Sequence, residues 1–150
     1  MLNLTKLERD AMDDVALIHR ASFDAALPWL SGLHTPDEDR AYFRDVVFEQ
    51  CAVWGGYLDG RLVGFVAFRE NWIDQLYVLP GFQGRSVGNG LLALAKGAHS
   101  SLSLWTFQRN SGARRFYERN RFIAIEETDG SRNEEREPDV LYRWEKRQKA

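Results

Sequence analysis

The chain has 150 residues, 44% hydrophobic and 28% charged, enough for one globular core without staples and too few for a second domain of ordinary size. A formal charge of -2 gives no broad basic footprint, which argues against a dedicated nucleic-acid binder. The single cysteine, Cys51, excludes an intrachain disulfide and a thiolate zinc cluster and reads as a core residue.

The N-terminal MLNLTKLERDAMDD lacks the apolar centre of a signal peptide, and no later stretch is long enough to span a bilayer, so a cytoplasmic location is expected. Leu2–Leu7 predicts a first strand. In DDVALIHRASF, Val15, Ile18, Ala21 and Ser22 recur at helical spacing behind an acidic lead, which predicts a helix over Asp13–Phe23. His19 here and His99 further on read as ordinary helix residues. DAALPWLSGLHTP reads as a loop, after which Thr35 or Asp37 caps a second helix reaching about Phe48.

CAVWGGYL and RLVGFVAFR flank Asp59-Gly60, a dipeptide suited to the positive φ angles of a two-residue hairpin turn. WIDQLYVL (Trp72–Leu79) predicts a fourth strand, stopped by Pro80-Gly81. A glycine-bearing segment then leads into a helix over Val87–Ala98. LSLWTF (Leu102–Phe107) predicts a fifth strand, SGARRFYERN a helix, and FIAIEET and DVLYRWE the last two strands; the EKRQKA tail is expected to fray. No repeat or linker interrupts this order, so residues 1–150 are expected to form one domain.

Glycine in a helix is unfavourable by roughly 1 kcal/mol relative to alanine, so Gly84, Gly88 and Gly90 need a backbone reason. The usual one is close approach to an anion. A P-loop is excluded because no Lys-Ser/Thr follows the last glycine. Gly88–Ala93 fits the dinucleotide pattern G-x-G-x-x-A, but a long connector separates it from its strand, and Phe107 leads to Gln108-Arg109 instead of an acid. A nicotinamide dehydrogenase is therefore a distant alternative. The third device, a turn of inward N–H groups joined to a helix N-terminus, can be built from Gln83–Gly90 and would cradle a pyrophosphate.

At this point Gln83-Gly84-Arg85-Ser86-Val87-Gly88, preceded by Leu76-Tyr77-Val78, resembles the pyrophosphate loop of the GNAT superfamily of acyl-CoA-dependent N-acyltransferases, written Q/R-x-x-G-x-G/A. Asn110–Tyr117 resembles the family's N-x-x-A-x-x-F-Y segment. There are two departures. Ser86 replaces the usual first glycine, and Arg121-Phe122 replaces Gly-Phe, so the left-handed residue after the helix is expected at Asn120.

The resemblance implies an α+β fold, a mixed, twisted sheet of about seven strands with helices on both faces. It implies an N-acetyltransferase moving the acetyl group from acetyl-CoA directly to a primary amine of an unidentified acceptor, and the acidic candidates near the cleft lean toward a cationic one. No metal, nucleic acid or membrane is implied, and the protein would be a monomer or homodimer. The rival is a non-catalytic acyl-CoA-binding sensor or interaction module.

For the cofactor, the resemblance implies a bulge around Leu76, Tyr77 and Val78 that frees a backbone N–H for the thioester oxygen. Gln83, Gly84, Arg85, Ser86, Val87, Gly88, Asn89 and Gly90 would hold the pyrophosphate, with Asn110, Ala113, Phe116 and Tyr117 beside the rest of the cofactor. Tyr117 is the expected general acid, with a core tyrosine as the alternative. Asn110 is equally natural as a helix cap, and Arg85, Arg114 and Arg115 could simply be solvated.

Asp74 is the expected acid of the acceptor side, since an aspartate in WIDQLYV is otherwise unfavourable unless it is ion-paired. Glu70, Glu134 and Glu135 are the other candidate bases. Trp29, His34, Glu70, Asp74 and Glu134 are expected to border the acceptor, although Trp29 could equally fill the core.

Overall fold

RLVGFVAFR has no polar residue between Arg61 and Arg69, the pattern of a strand covered on both faces. A computed structural model, which describes residues 1–147, shows that coverage. Strand β1 (Leu2–Lys6) is followed by helix α1 (Met12–Ala26), α2 (Pro36–Tyr42) and the short α3 (Phe48–Gln50). Then come β2 (Ala52–Leu58), β3 (Arg61–Arg69), β4 (Trp72–Val78), α4 (Val87–Ala98), β5 (Ser101–Phe107), α5 (Ser111–Arg119), β6 (Ile123–Glu127) and β7 (Asp139–Glu145). In β3, Phe65 and Ala67 pack with Met12, Val15, Ile18, Phe43 and Val47 on one face. Val66 and Phe68 pack with Leu91, Leu92 and Ala95 of α4 on the other.

The seven strands form one sheet in the order β1-β2-β3-β4-β5-β7-β6. Every neighbouring pair is antiparallel except β4 and β5. The mixed sheet with helices on both faces is the expected architecture. Its local signals act as read: Asp59 and Gly60 take φ of 50° and 79° in the β2–β3 turn. Thr35 caps α2 through a reciprocal pair, in which its hydroxyl accepts from the Glu38 N–H at 3.1 Å and the Glu38 carboxylate accepts from the Thr35 N–H at 2.8 Å.

Three details differ from expectation. The second helix reaches the predicted length only by way of a π-helical stretch, Phe43–Val47, between α2 and α3. The left-handed residue after α5 is Arg121 (φ 70°), whereas Asn120 sits at φ -95°. Asn120 instead donates from its side chain to the Phe116 carbonyl at 2.8 Å and receives Lys96 on its own carbonyl. Of the EKRQKA tail, Glu145 ends β7 and the Lys146 N–H bonds the Ser100 carbonyl at 2.7 Å, while residues 148–150 lie outside the described residues.

Ser86 precedes α4 in the left-handed region, φ 66° and ψ 8°, and its hydroxyl makes no capping bond to the helix. A Cβ in that conformation is unfavourable by about 1 kcal/mol. Replacing Ser86 by alanine keeps the Cβ, whereas glycine removes it. Ser86→Gly is therefore expected to unfold at higher denaturant than Ser86→Ala, by about 1 kcal/mol; equal midpoints would mean that the loop relaxes the strain elsewhere.

Candidate active site

Parallel β4 and β5 share a single register pair, Trp72 with Ser103, and then part towards their C-terminal ends. On its other edge β4 stays paired with β3 up to Val78 opposite Gly64. The Leu79 N–H donates to the Val63 carbonyl at 2.8 Å. Backbone groups alternate along a strand, so the amides of Leu76 and Val78 face the opening. Two side chains occupy the Val78 carbonyl there: the Ser22 hydroxyl at 3.2 Å and the Gln83 amide at 3.1 Å.

The bulge lies two residues before the expected Leu76–Val78. Phe68 pairs with Ile73 and Ala67 with Gln75, leaving Asp74 unpaired. Leu76–Val78 is freed by the departure of β5, not by a bulge of its own.

The opening widens into a cleft of about 770 Å³. It is lined by Leu76, Tyr77 and Val78, by Gln83, Gly84, Ser86, Gly88 and Asn89 before and within α4, and by Asn110, Ala113, Phe116 and Tyr117 of the α5 region. In α4 the first i→i−4 bond runs from the Gly90 N–H to the Ser86 carbonyl at 3.0 Å, so the Val87, Gly88 and Asn89 amides have no acceptor within the helix. Those amides and the helix dipole make the end of the cleft favourable for an anion.

Three residues expected at the cofactor do not line the cleft. Val87 is buried in the core, Arg85 lies over the Phe82 ring at 5.6 Å, and Gly90 turns the other way. A Cβ on Gly90 would stand 3.1 Å from Leu2, so its glycine serves contact with β1. Gly88 does line the cleft, yet a Cβ there would first meet the Phe116 ring at 3.2 Å, so close packing of α4 on α5 also requires it. Gly84 has open space around it and φ 78°; its reason is conformational.

Asn110 is a helix cap as well as a lining residue, its side chain accepting from the Ala113 N–H at 3.2 Å. Arg114 is not a phosphate ligand in this arrangement: it donates to the Tyr142 hydroxyl at 2.9 Å and reaches Glu127. Tyr117 is buried among Phe116, Phe122 and Tyr142, with burial and then Tyr77 pushing its phenol well above the ordinary value. It is protonated at any physiological pH.

Beyond β4 lies a second cavity of about 440 Å³. It gathers His34 and Glu134, which bond each other at 2.9 Å, together with Glu135, Glu38 and the Arg20–Asp39 pair. Phe23, Tyr42 and Phe43 add aromatic walls. Of the expected acceptor residues, only His34 and Glu134 meet here. Glu70 is exposed in the turn between β3 and β4, at the far end of β4 from Val78. Trp29 donates from its indole to Glu137 at 2.9 Å and carries the Arg109 guanidinium on its ring at 4.1 Å.

Asp74 lines neither cavity. Its carboxylate accepts from Arg69 at 2.8 Å and from the Cys51 thiol at 3.3 Å, the ion-pair alternative. Burial and then Asp74 push that thiol up to about 12, so Cys51 is not a nucleophile.

Several lining residues escaped the sequence. Ser22, Ala25 and Ala26 bring the end of α1 to the cleft, and the one signal was a small polar residue on the apolar stripe of that helix. Glu137, which lines neither cavity, is buried behind the lining residue Arg109 and bound by it through two bonds of 2.7 Å. His19, read as an ordinary helix residue, lines the second cavity with its ring 4.9 Å from that of Tyr77. Among the described residues no group of three or more His, Cys, Asp or Glu could hold a metal ion, and no helix is long and apolar enough to cross a membrane.

Residues 17–122 match the acetyltransferase (GNAT) family, and the chain belongs to that family. An uncharacterised N-acetyltransferase of Archaeoglobus fulgidus is 27% identical, over 77% of this chain and 89% of its own. The peptidyl-lysine N-acetyltransferase YiaC of Escherichia coli is 29% identical over 55% of this chain and 58% of that protein. The crystal structure of PaiA N-acetyltransferase from Thermoplasma acidophilum in complex with coenzyme A shares the fold, with a TM-score of 0.72 at 19% identity, covering 97% of this chain and 99% of that one.

Burial, followed by the charge of Arg20, lowers His19 to about 4. The folded state thus favours the neutral ring, and the unfolded state, near 6.5, binds more protons between those values. This contribution to stability is complete above pH 6.5 and is lost as pH falls towards 4. From pH 7 to pH 5 the loss from this one group is about 2 kcal/mol. His19→Phe, which keeps an aromatic ring among Phe23, Phe43 and Tyr77, is expected to lose about 2 kcal/mol less than the parent protein over that interval in urea unfolding. Parallel losses would show that His19 is not held neutral.

Proposed function

We propose that the protein transfers the acetyl group of acetyl-CoA to a primary amine, with β1 to β7 working as one catalytic domain. The observation that supports this best is the convergence of two sets of unpaired backbone amides on one cleft. Those of Leu76 and Val78 lie where β4 leaves β5, and those of Gly88 and Asn89 lie in the first turn of α4. The α4 amides and the Gly84–Ser86 turn suit a pyrophosphate. An amide of β4 suits the thioester oxygen, whose charge grows as the carbonyl carbon becomes tetrahedral.

Acetyl-CoA supplies an activated thioester, and the protein supplies position and proton transfer. The amine nitrogen bonds the carbonyl carbon, the C–S bond breaks, and its electron pair leaves on sulfur. A neutral amine loses one proton as the sulfur gains one. Tyr117, protonated and open to the cleft, is the proposed donor to the leaving thiolate. The amine is proposed to enter from the second cavity, across β4. Asp74, already engaged by Arg69 and Cys51, is assigned to holding the bulge.

CoA is expected to raise the melting temperature and NAD to leave it unchanged, since only a ligand of the folded state shifts that equilibrium. Tyr117→Phe keeps its ring packing, so it is expected to retain the CoA shift while thiol release falls about 10- to 1000-fold. No shift with CoA, or an undiminished chemical step in Tyr117→Phe, would overturn the respective part of the proposal.

A further inference from the structure

Most polar groups around the second cavity already have partners. Asp39 takes Arg20 in a two-pronged pair, with both bonds at 2.9 Å. Glu134 takes His34, and Glu38 caps α2 through the Thr35 N–H. Among the described residues, Tyr42, Gln75, Glu135 and His19 have side chains without a partner, and of these only Glu135 is an acid. The half-buried Glu135 carboxylate makes no side-chain hydrogen bond or ion pair to another described residue and meets only its own backbone N–H. The His19 Nδ1 is closed off from solvent.

A half-buried carboxylate without a counter-charge is unfavourable unless a cation completes it. From Glu135 and the walls around it we infer that the second cavity binds a small acceptor of the diamine class. Glu135 pairs with a cationic centre remote from the reaction, and the neutral His19 ring forms part of the wall nearer β4. This inference rests on the proposed acetyl transfer and names its acceptor.

The division of roles follows from the two environments. His19 packs against Tyr77, a residue of the donor strand that also lines the larger cleft. It stays neutral beside Arg20, so it adds no charge that would repel a cationic acceptor. Glu135 comes from the connection between β6 and β7, where desolvation raises its carboxyl above the ordinary range and its own backbone N–H and His34 offset only part of that. An ammonium ion would supply the remainder. Phe23 and Phe43 can cover the methylene groups between the two nitrogens. A cavity of about 440 Å³ has the dimensions of a small-molecule site.

The test compares 1,4-diaminobutane, butylamine and a short lysine peptide as acceptors at saturating acetyl-CoA, alongside calorimetric titration of 1,4-diaminobutane into the CoA-bound protein. The diamine is expected to have a kcat/KM at least tenfold above the other two. Glu135→Gln is expected to raise KM at least tenfold more for the diamine than for butylamine. Equal kcat/KM for diamine and monoamine, preference for the peptide, or an unchanged KM ratio in Glu135→Gln would overturn the inference. Diamine binding without turnover would retain the cavity's assignment and overturn the acetyl transfer instead; no diamine binding overturns the assignment whatever the turnover.

Discussion

Everything in the site depends on one parallel strand pair that fails to stay paired. Both β4 and β5 are held along their outer edges, β4 by β3 and β5 by β7. After Trp72 and Ser103 their inner edges are left facing each other across a gap. Backbone groups left in a protein interior demand partners. The Val78 carbonyl finds them in Ser22 of α1 and Gln83 of the following turn. These bonds fix α1 and the turn before α4 to the same strand end. The divergence thus positions the walls of the larger cleft while leaving amides for a ligand.

The open end is tied by contacts between segments far apart in the chain. Arg109 follows β5, Glu137 precedes β7, and Trp29 lies between α1 and α2; one carboxylate binds the other two residues. Arg109 also holds Glu137 below the ordinary carboxylate range, so this junction is charged throughout the neutral pH range. These bonds to one carboxylate tie the two connections to each other. Arg109 lines the larger cleft, and Glu134 and Glu135 of the second cavity lie in the same connection as Glu137. The two cavities are therefore joined by a short path through this junction.

The fold was legible because its signals are local. Asp59-Gly60 forces a turn, Thr35 and Glu38 cap each other across three residues, and the unbroken apolar run of β3 declares two covered faces. The turn that leads into α4 was legible for the same reason. What failed were inferences about causes that lie elsewhere in the chain. Gly90 is small for Leu2 of β1, and Gly88 for Phe116 of α5 as well as for the cleft. Sequence spacing carries no trace of either neighbour. The left-handed Arg121 escaped because asparagine is the favoured non-glycine residue there, yet Asn120 was taken up by bonds to the Phe116 carbonyl and Lys96.

The two cavities differ in how they are made, and that difference explains which of them a sequence can reveal. The larger cleft uses backbone amides on short contiguous segments around residues 76–89 and 110–117, so its chemistry survives most changes of side chain and leaves a pattern of glycines and turn residues. The second cavity takes side chains from α1, α2, β4 and the connection between β6 and β7. Taken singly, His19 reads as an ordinary helix histidine, and Glu134 and Glu135 as two among several candidate acids. Their meaning is collective: once Arg20 is consumed by Asp39 and His34 by Glu134, the leftover Glu135 gives the cavity its charge preference. A donor site built from backbone can stay constant while an acceptor site built from side chains changes one carboxylate at a time. Separating the two across β4 lets acceptor choice vary without disturbing the strand end on which the chemistry depends.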